Sequence, residues 1–254
     1  MLVALLFMLG LIGGTLSGLL GIGGGLVIVP LLLYVPPLAG LPIDVRTASA
    51  VAVIQVTAAT LSGAMAHRRR GAVYIRLAIA MSVTSAAGAL AGGVVSASVP
   101  AELLLLTTAA LATVAALLMF LPARVEAVDS NDSPSFNLPV VCASGFVIGL
   151  VIGMNGAGAF LMLPCLIYLV GLPTRVALGT VLAVGFPTSL AAAIGKIATG
   201  QVPFWIAALV VAGALIGAQV GSWLSARTPS RVLRWLYGVL VAVIAVGLWL
   251  DIAQ

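Results

Sequence analysis

Two glycine-rich breaks in an otherwise apolar sequence are the segments best suited to bind a ligand. One is GIGGGLVIVP, from Gly21 to Pro30, and the other is NGAGAFLMLP, from Asn155 to Pro164. In each, small residues are followed by four apolar residues and a proline. Such a pattern presents unobstructed backbone N–H groups at the start of a helix, where the helix dipole adds partial positive charge. The chemistry it favours is the binding of an anion.

The composition places both breaks in a membrane. Of 254 residues, 63% are hydrophobic and 7% are charged, whereas a soluble domain carries about 25% charged residues. The mean hydropathy is +1.30, which excludes a water-soluble globule. At ~20 residues per crossing the chain has room for about eight or nine helices and no separate soluble domain. The net charge of +5 lies in loops without interleaved aromatic residues, so it indicates membrane topology and not nucleic-acid binding.

The apolar runs predict an all-α membrane protein made of two repeats, each with four to five helical segments and one glycine-broken or re-entrant pair. The first repeat covers residues 1–122, a polar cytoplasmic linker covers 123–137, and the second repeat covers 138–254. The predicted segments are Leu2–Leu20, Leu26–Tyr34, Thr47–Ala66, Ile75–Val95 and Leu103–Leu121, then Leu138–Ile152, Ala159–Val170, Val176–Ala198, Phe204–Leu224 and Val232–Leu250.

Equivalent loops of the two repeats carry opposite charge bias. In the first repeat the basic cluster 67–70 follows the third segment, and the next loop carries only Glu102. In the second repeat Lys196 stands alone after the third segment, and three arginines including Arg231 follow the fourth. Because basic loops stay in the cytoplasm, this predicts inverted repeats with both termini outside and the linker inside. This orientation does not depend on whether each glycine-broken pair spans the membrane twice or forms a re-entrant hairpin, because both return the chain to the same side. The second segment of each pair is short, which favours the hairpin.

The breaks predict a binding site because an interrupted helix in a bilayer frees backbone groups that protein, water or ligand must satisfy. In inverted repeats, two such helix starts can converge near the midplane. The alternative is helix packing through small residues spaced four apart, as in Gly14 with Gly18, Gly88 with Gly92, Gly149 with Gly153, and Gly217 with Gly221. The residues predicted to bind substrate are Gly23, Gly24, Gly25, Ser49, Gln55, Asn155, Gly156, Gly158 and Thr180.

Three basic residues are candidates for a gate or for attracting the anion. Arg46 and Arg175 occupy nearly equivalent positions at the starts of the third segments, where they could equally be interfacial anchors. Lys196 lies late in its segment, and a charge at the bilayer centre is costly enough that it usually faces a cavity. The competing expectation is that Lys196 extends its ammonium to the membrane surface.

The sequence gives little support to an enzyme. His67 is the only histidine, and the common hydrolase, protease and nucleotide-binding motifs are absent. Cys142 and Cys165 have neither CxxC spacing nor a neighbouring histidine, so they are expected to be packing residues. All six carboxylates lie at segment ends or in the linker, which leaves no buried acid to carry a proton. No metal and no cofactor are predicted.

The quoted motifs resemble those of the sulfite exporter TauE/SafE family. The resemblance rests on GLLGIGGGLVIVPLLL, LPIDVRTASAVAV, HRRRGAV and GLVIGMNGAGAFLMLPCLIYLVGLPTRVALGT, and it extends over nearly the whole chain outside the linker. It implies a transporter of the cytoplasmic membrane that exports small sulfur-containing anions. The likeness applies directly to residues 23–25 and Pro30. In the second copy Asn155 and Ala159 replace Gly21 and Gly25, which predicts a less open half-site.

The resulting hypothesis is a multi-pass secondary transporter that exports a sulfite-, sulfonate- or sulfoacetate-like anion by alternating access. A passive anion channel with the same glycine-lined site is the first alternative, and a membrane scaffold without transport is the second. The expected partners are the anion and the lipid bilayer, without nucleic acid, and a homodimer is left open.

Overall fold

The chain forms ten α-helices within the residues that the computed structural model describes, which are 2–21, 24–68, 73–120 and 137–252. In order they are α1 (Leu2–Leu20), α2 (Gly25–Tyr34), α3 (Val45–Arg68), α4 (Ile75–Val95), α5 (Ala101–Phe120), α6 (Leu138–Asn155), α7 (Met162–Tyr168), α8 (Thr174–Ala198), α9 (Phe204–Arg227) and α10 (Ser230–Ile252). All but α2 and α7 are long and apolar enough to cross a membrane. The predicted all-α membrane fold is confirmed.

The two glycine breaks separate long helices from short ones. α2 has 10 residues and follows Gly24, whose φ of 75° is left-handed. α7 has 7 residues and follows a 3-10 turn at Ala159–Leu161. At 1.5 Å per residue α2 is about 15 Å long, half of a bilayer core. α6 runs three residues past the predicted end at Ile152, through Gly153 to Asn155.

Glycines hold two helix pairs at backbone contact. A Cβ atom at Gly14 would lie 2.4 Å from the Ala214 carbonyl oxygen, which brings α1 against α9. At Gly88 it would lie 2.1 Å from the Phe146 oxygen, which brings α4 against α6. The other predicted glycine pairs make the same kind of contact, so the packing interpretation is confirmed for them.

The contacts also give the relative directions of the helices. Along α1 and α9, and along α4 and α6, contacting residue numbers rise together, so each pair is parallel. Between α3 and α8, Gly63 faces Leu182 and Gly185 faces Thr60, so this pair is antiparallel. Helix pairing recurs in the two halves: α3 contacts α9 as α8 contacts α4, and α1 contacts α9 as α6 contacts α4. α3 and α8 are the most buried of the long helices.

Several predicted features lie outside the described residues. They are Gly23, most of the linker and the basic residues after Arg68. The cytoplasmic position of the linker and of that basic cluster therefore stays a prediction.

Candidate functional site

The two glycine breaks meet in the interior of the helix bundle. A Cβ atom at Gly25 would lie 2.2 Å from the Gly156 carbonyl oxygen. Gly156 has a φ of 70°, and a Cβ there would lie 2.3 Å from the Ser49 carbonyl oxygen. Both glycines and Ser49 are buried. The breaks, which are distant in sequence, thus form one cluster beside the first half of α3.

Gln55 places an unpaired amide at this cluster. Its side chain is 0% exposed, and neither Oε1 nor Nε2 has a hydrogen-bond partner among the described residues. A Cβ atom at Gly24 would lie 3.1 Å from each of these two atoms, and one at Gly13 would lie 3.3 Å from Nε2. A buried polar group without a partner costs about 1–3 kcal/mol. The first break therefore has a buried amide that the described residues leave unpaired.

Asn155 and Ser49 add polar groups at the second break. Asn155 ends α6, and its Nδ2 donates to Thr107 Oγ1 at 3.2 Å while its Oδ1 has no partner among the described residues. Ser49 Oγ donates to the Met154 carbonyl oxygen at 3.4 Å. Both side chains line a small cavity of about 10 Å³ together with apolar residues of α2 and α5. A cavity of this size holds about one water, so the second break has no room for an oxyanion in this conformation.

Lys196 lies next to the second break and is buried within the protein. Its side chain is 0% exposed, so protein covers the ammonium, and its depth in the membrane stays a prediction. Its Nζ donates to Ser96 Oγ at 3.0 Å, to the Met154 carbonyl oxygen at 3.3 Å and to Gln201 Oε1 at 3.3 Å. These neutral acceptors come from the α4–α5 connection, the end of α6 and the α8–α9 connection.

Two other predicted binding residues lie apart from the cluster. Thr180 Oγ1 donates to the Val176 carbonyl oxygen at 2.7 Å and accepts from the Tyr74 backbone N–H at 3.0 Å, so it ties α8 to the start of α4. Gly158 is packed against α6, because a Cβ there would lie 2.8 Å from Ile152 Cγ1.

Arg46 and Arg175 make equivalent contacts at helix starts. Arg46 Nη2 donates to the Val99 carbonyl oxygen at 3.5 Å, and Arg175 Nη2 donates to the Thr228 carbonyl oxygen at 3.2 Å. Both side chains are exposed. Each arginine thus joins the first turn of a central helix to the loop before α5 or α10, which fits the anchor interpretation.

Asp44 is the acid closest in sequence to this region. Partial burial raises the pKa of its carboxyl group, but hydrogen bonds from the Thr47 side chain and backbone outweigh burial and hold the pKa below its usual value. The Thr47 backbone N–H donates to Asp44 Oδ2 at 3.4 Å. Asp44 is therefore ionised at neutral pH and is poorly suited to carry a proton.

Sequence reasoning missed several groups at the site. Thr107 contacts Asn155, and the adjacent pair Thr107 and Thr108 in an apolar run was a usable signal. Ser96 and Gln201 lie in helix connections, where polar residues are ordinary, so nothing in the sequence marked them. Ser17 is a buried serine whose hydroxyl has no partner among the described residues.

Within the described residues no group of three His, Cys, Asp or Glu side chains is placed to hold a metal.

Comparison with known protein families assigns the chain to one of them. The sequence profile described as "Sulfite exporter TauE/SafE" matches residues 6–248. The chain belongs to this family. A TauE/SafE assignment over nearly the whole length agrees with the eight membrane-spanning candidates.

Curated relatives of this TauE/SafE protein are membrane proteins of similar length. It is 31% identical to a "Probable membrane transporter protein" of Xylella fastidiosa, with 93% of this chain and 90% of the relative covered. It is 24% identical to "Probable membrane transporter protein YunE" of Bacillus subtilis, with 94% of each covered. No solved structure matches the chain. The protein is a multi-pass membrane transporter of the TauE/SafE type, for which the cytoplasmic membrane is the usual location, and its family is not an enzyme class.

Proposed function

We propose that the protein exports a small sulfur-containing oxyanion through the cluster where the two glycine breaks meet. The observation that carries this proposal is Gln55, a fully buried amide with neither atom paired among the described residues, beside the left-handed Gly24. A protein tolerates such a group in its membrane-spanning core when a ligand satisfies it during function. The substrate is moved without being chemically changed.

The donors at the cluster suit a compact oxyanion. The N-terminal backbone N–H groups of α2 and the Gln55 Nε2 supply hydrogen bonds, and the helix dipole favours negative charge. A monoprotonated anion such as hydrogen sulfite carries one O–H, which the unpaired Gln55 Oε1 can accept. Ser49 and Asn155 supply polar contacts from the second break. Hydrogen bonds to an ionised acceptor are about twice as strong as neutral ones.

The small cavity favours alternating access over an open channel. At about 10 Å³ it is too small for an oxyanion, so the anion must enter through a change in helix packing. The helix pairing that recurs in the two halves supports inverted repeats that rock about the shared site. A passive channel with the same site is the second candidate, and it would require a pore that opens without a conformational cycle.

Inverted topology predicts that equivalent positions of the two halves lie on opposite faces. Single cysteines at Glu102 and Arg231, both exposed in the first turns of α5 and α10, are introduced after Cys142 and Cys165 are replaced by alanine. A membrane-impermeant maleimide added to sealed cells should label position 102 and not position 231, whereas permeabilised cells should show both. Labelling of both positions from one side would exclude the inverted arrangement.

Flux in proteoliposomes tests the proposed function. Vesicles of the purified protein are loaded with sulfite, sulfoacetate or taurine, and release is followed with and without an imposed gradient of protons, sodium or potassium. Uphill movement of sulfite or sulfoacetate driven by one of these gradients is expected, with little movement of taurine because it is zwitterionic. Downhill flow that ignores every ion gradient would favour the channel. Absence of flux for any anion would contradict transport and favour the scaffold.

A further inference from the structure

Lys196 is the one buried cation of the described membrane-spanning segments that has only neutral partners. It is also the only lysine of the chain. Its three acceptors are a hydroxyl, a backbone carbonyl and a side-chain amide oxygen. Removing an ammonium from water costs several kcal/mol, and neutral oxygens return only part of that. No carboxylate among the described residues contacts it, so the empty protein holds an uncompensated positive charge.

This charge lies beside the proposed binding cluster. The Met154 carbonyl oxygen accepts from both Lys196 Nζ and Ser49 Oγ, so the ammonium and the Ser49 hydroxyl are neighbours. Met154 immediately precedes Asn155 and the Gly156 break. Arg46 is close enough to interact with Lys196 electrostatically, and the repulsion between two cations makes a nearby anion more favourable still.

At the position aligned with Lys196 the charge is absent from the first repeat. The alignment of Leu41–Ser49 with Leu172–Thr180 continues without a gap along α3 and α8, and it pairs Lys196 with Met65. Position 65 of α3 is therefore apolar where α8 has its ammonium, and α3 ends three residues later at Arg68. At this aligned position the positive charge is specific to the second repeat.

We infer that Lys196 is the cationic contact of the transported anion, reached when the ammonium exchanges its Met154 and Gln201 acceptors for the substrate oxygens. The inference rests on the proposed function. In the empty protein the ammonium joins the α4–α5 connection, the end of α6 and the α8–α9 connection. An anion that takes the ammonium detaches the end of α6, whereas Ser96 and Gly93 stay hydrogen-bonded to Gln201, so loading the site loosens α6 at this end.

A purely structural tether is the competing interpretation, and anion-dependent stability separates the two. Unfolding midpoints of the full-length protein in detergent are measured with and without sodium sulfite or sulfoacetate. Wild type should be stabilised by the anion. K196Q should lose this stabilisation, and in proteoliposomes its KM should rise about ten-fold or more, equal to about 1.4 kcal/mol of binding. S96A removes one tether and keeps the charge, so its anion-induced shift should match that of wild type.

A tether would give the opposite pattern. K196Q would then have a lower midpoint without anion, yet would keep the wild-type anion-induced shift and KM, and this result would overturn the inference alone. If wild type neither moves nor is stabilised by either anion, the proposed function fails and the inference with it.

A measurement on the unmodified chain covers the case in which K196Q does not fold. Because Lys196 is the sole lysine, labelling with lysine enriched in 15N at the side chain gives one ammonium resonance. Titration with sulfite should shift that resonance in a saturable manner, and titration with chloride at equal ionic strength should not. A resonance that sulfite leaves unmoved would overturn the assignment.

Discussion

Gly24→Ala is expected to reduce sulfite flux about ten-fold or more, which corresponds to about 1.4 kcal/mol of lost binding, while the protein still inserts in the membrane. The added Cβ atom would lie 3.1 Å from both amide atoms of Gln55 and 2.8 Å from the Gly13 carbonyl oxygen. It would fill the space beside the Gln55 amide, whose two polar atoms have no partner among the described residues. Initial flux in proteoliposomes, at matched protein density, measures the effect.

Gly40→Ala is the matched control for Gly24→Ala. Gly40 also has a left-handed φ, 82° against 75°, but nothing lies within 4 Å of a Cβ built there. Both variants carry the same backbone penalty of about 1–2 kcal/mol, so both should lower the unfolding midpoint. Only Gly24→Ala should lose flux. Equal flux in the two variants would show that the space at Gly24 is not used by the substrate.

The helices were predictable because their signals are local. Apolar runs of membrane-spanning length and their glycine or proline ends fixed α1, α4 and α5 to within about two residues, which is the usual disagreement at helix ends. The predicted segment Leu138–Ile152 ends three residues before α6 does, for a tertiary reason that involves Gly153. A Cβ there would lie 2.1 Å from the Ala89 carbonyl oxygen, so this glycine lets α6 pack on α4 while the helix continues.

The site was predictable only in part. Gln55 and Asn155 were visible because amide side chains stand out in apolar runs, and the structure places both at the meeting of the breaks. Ser49 and Thr180 occupy equivalent positions in the two repeats, yet they have different neighbours. Ser49 contacts the end of α6 at Met154, whereas Thr180 contacts the Tyr74 backbone before α4. The partners of Lys196 come from two helix connections and the end of α6. The spacing of residues along the sequence does not show that these segments lie together in the fold.

Gln55→Met is expected to raise the stability of the empty protein and to abolish sulfite flux. Methionine has nearly the shape of glutamine and has no amide to leave unpaired, so the substitution removes a penalty of about 1–3 kcal/mol. The unfolding midpoint without anion should therefore rise. The same change removes the donor and acceptor that we propose for the substrate, so transport should be lost. A higher unfolding midpoint together with lost flux would show that the Gln55 amide serves ligand binding and not the stability of the fold.

Gln219→Met provides the contrast that isolates this effect. Gln219 Nε2 donates to Ser62 Oγ at 2.7 Å and to the Ser62 carbonyl oxygen at 3.2 Å, so its amide nitrogen already has partners within the protein, and its side chain is exposed. Its loss should lower stability by about 0.5–1.5 kcal/mol and leave flux unchanged. The two glutamine variants thus move the unfolding midpoint in opposite directions and differ in transport. If Gln55→Met instead behaves like Gln219→Met, with a lower midpoint and wild-type flux, the amide of Gln55 has a structural partner and the anion binds elsewhere.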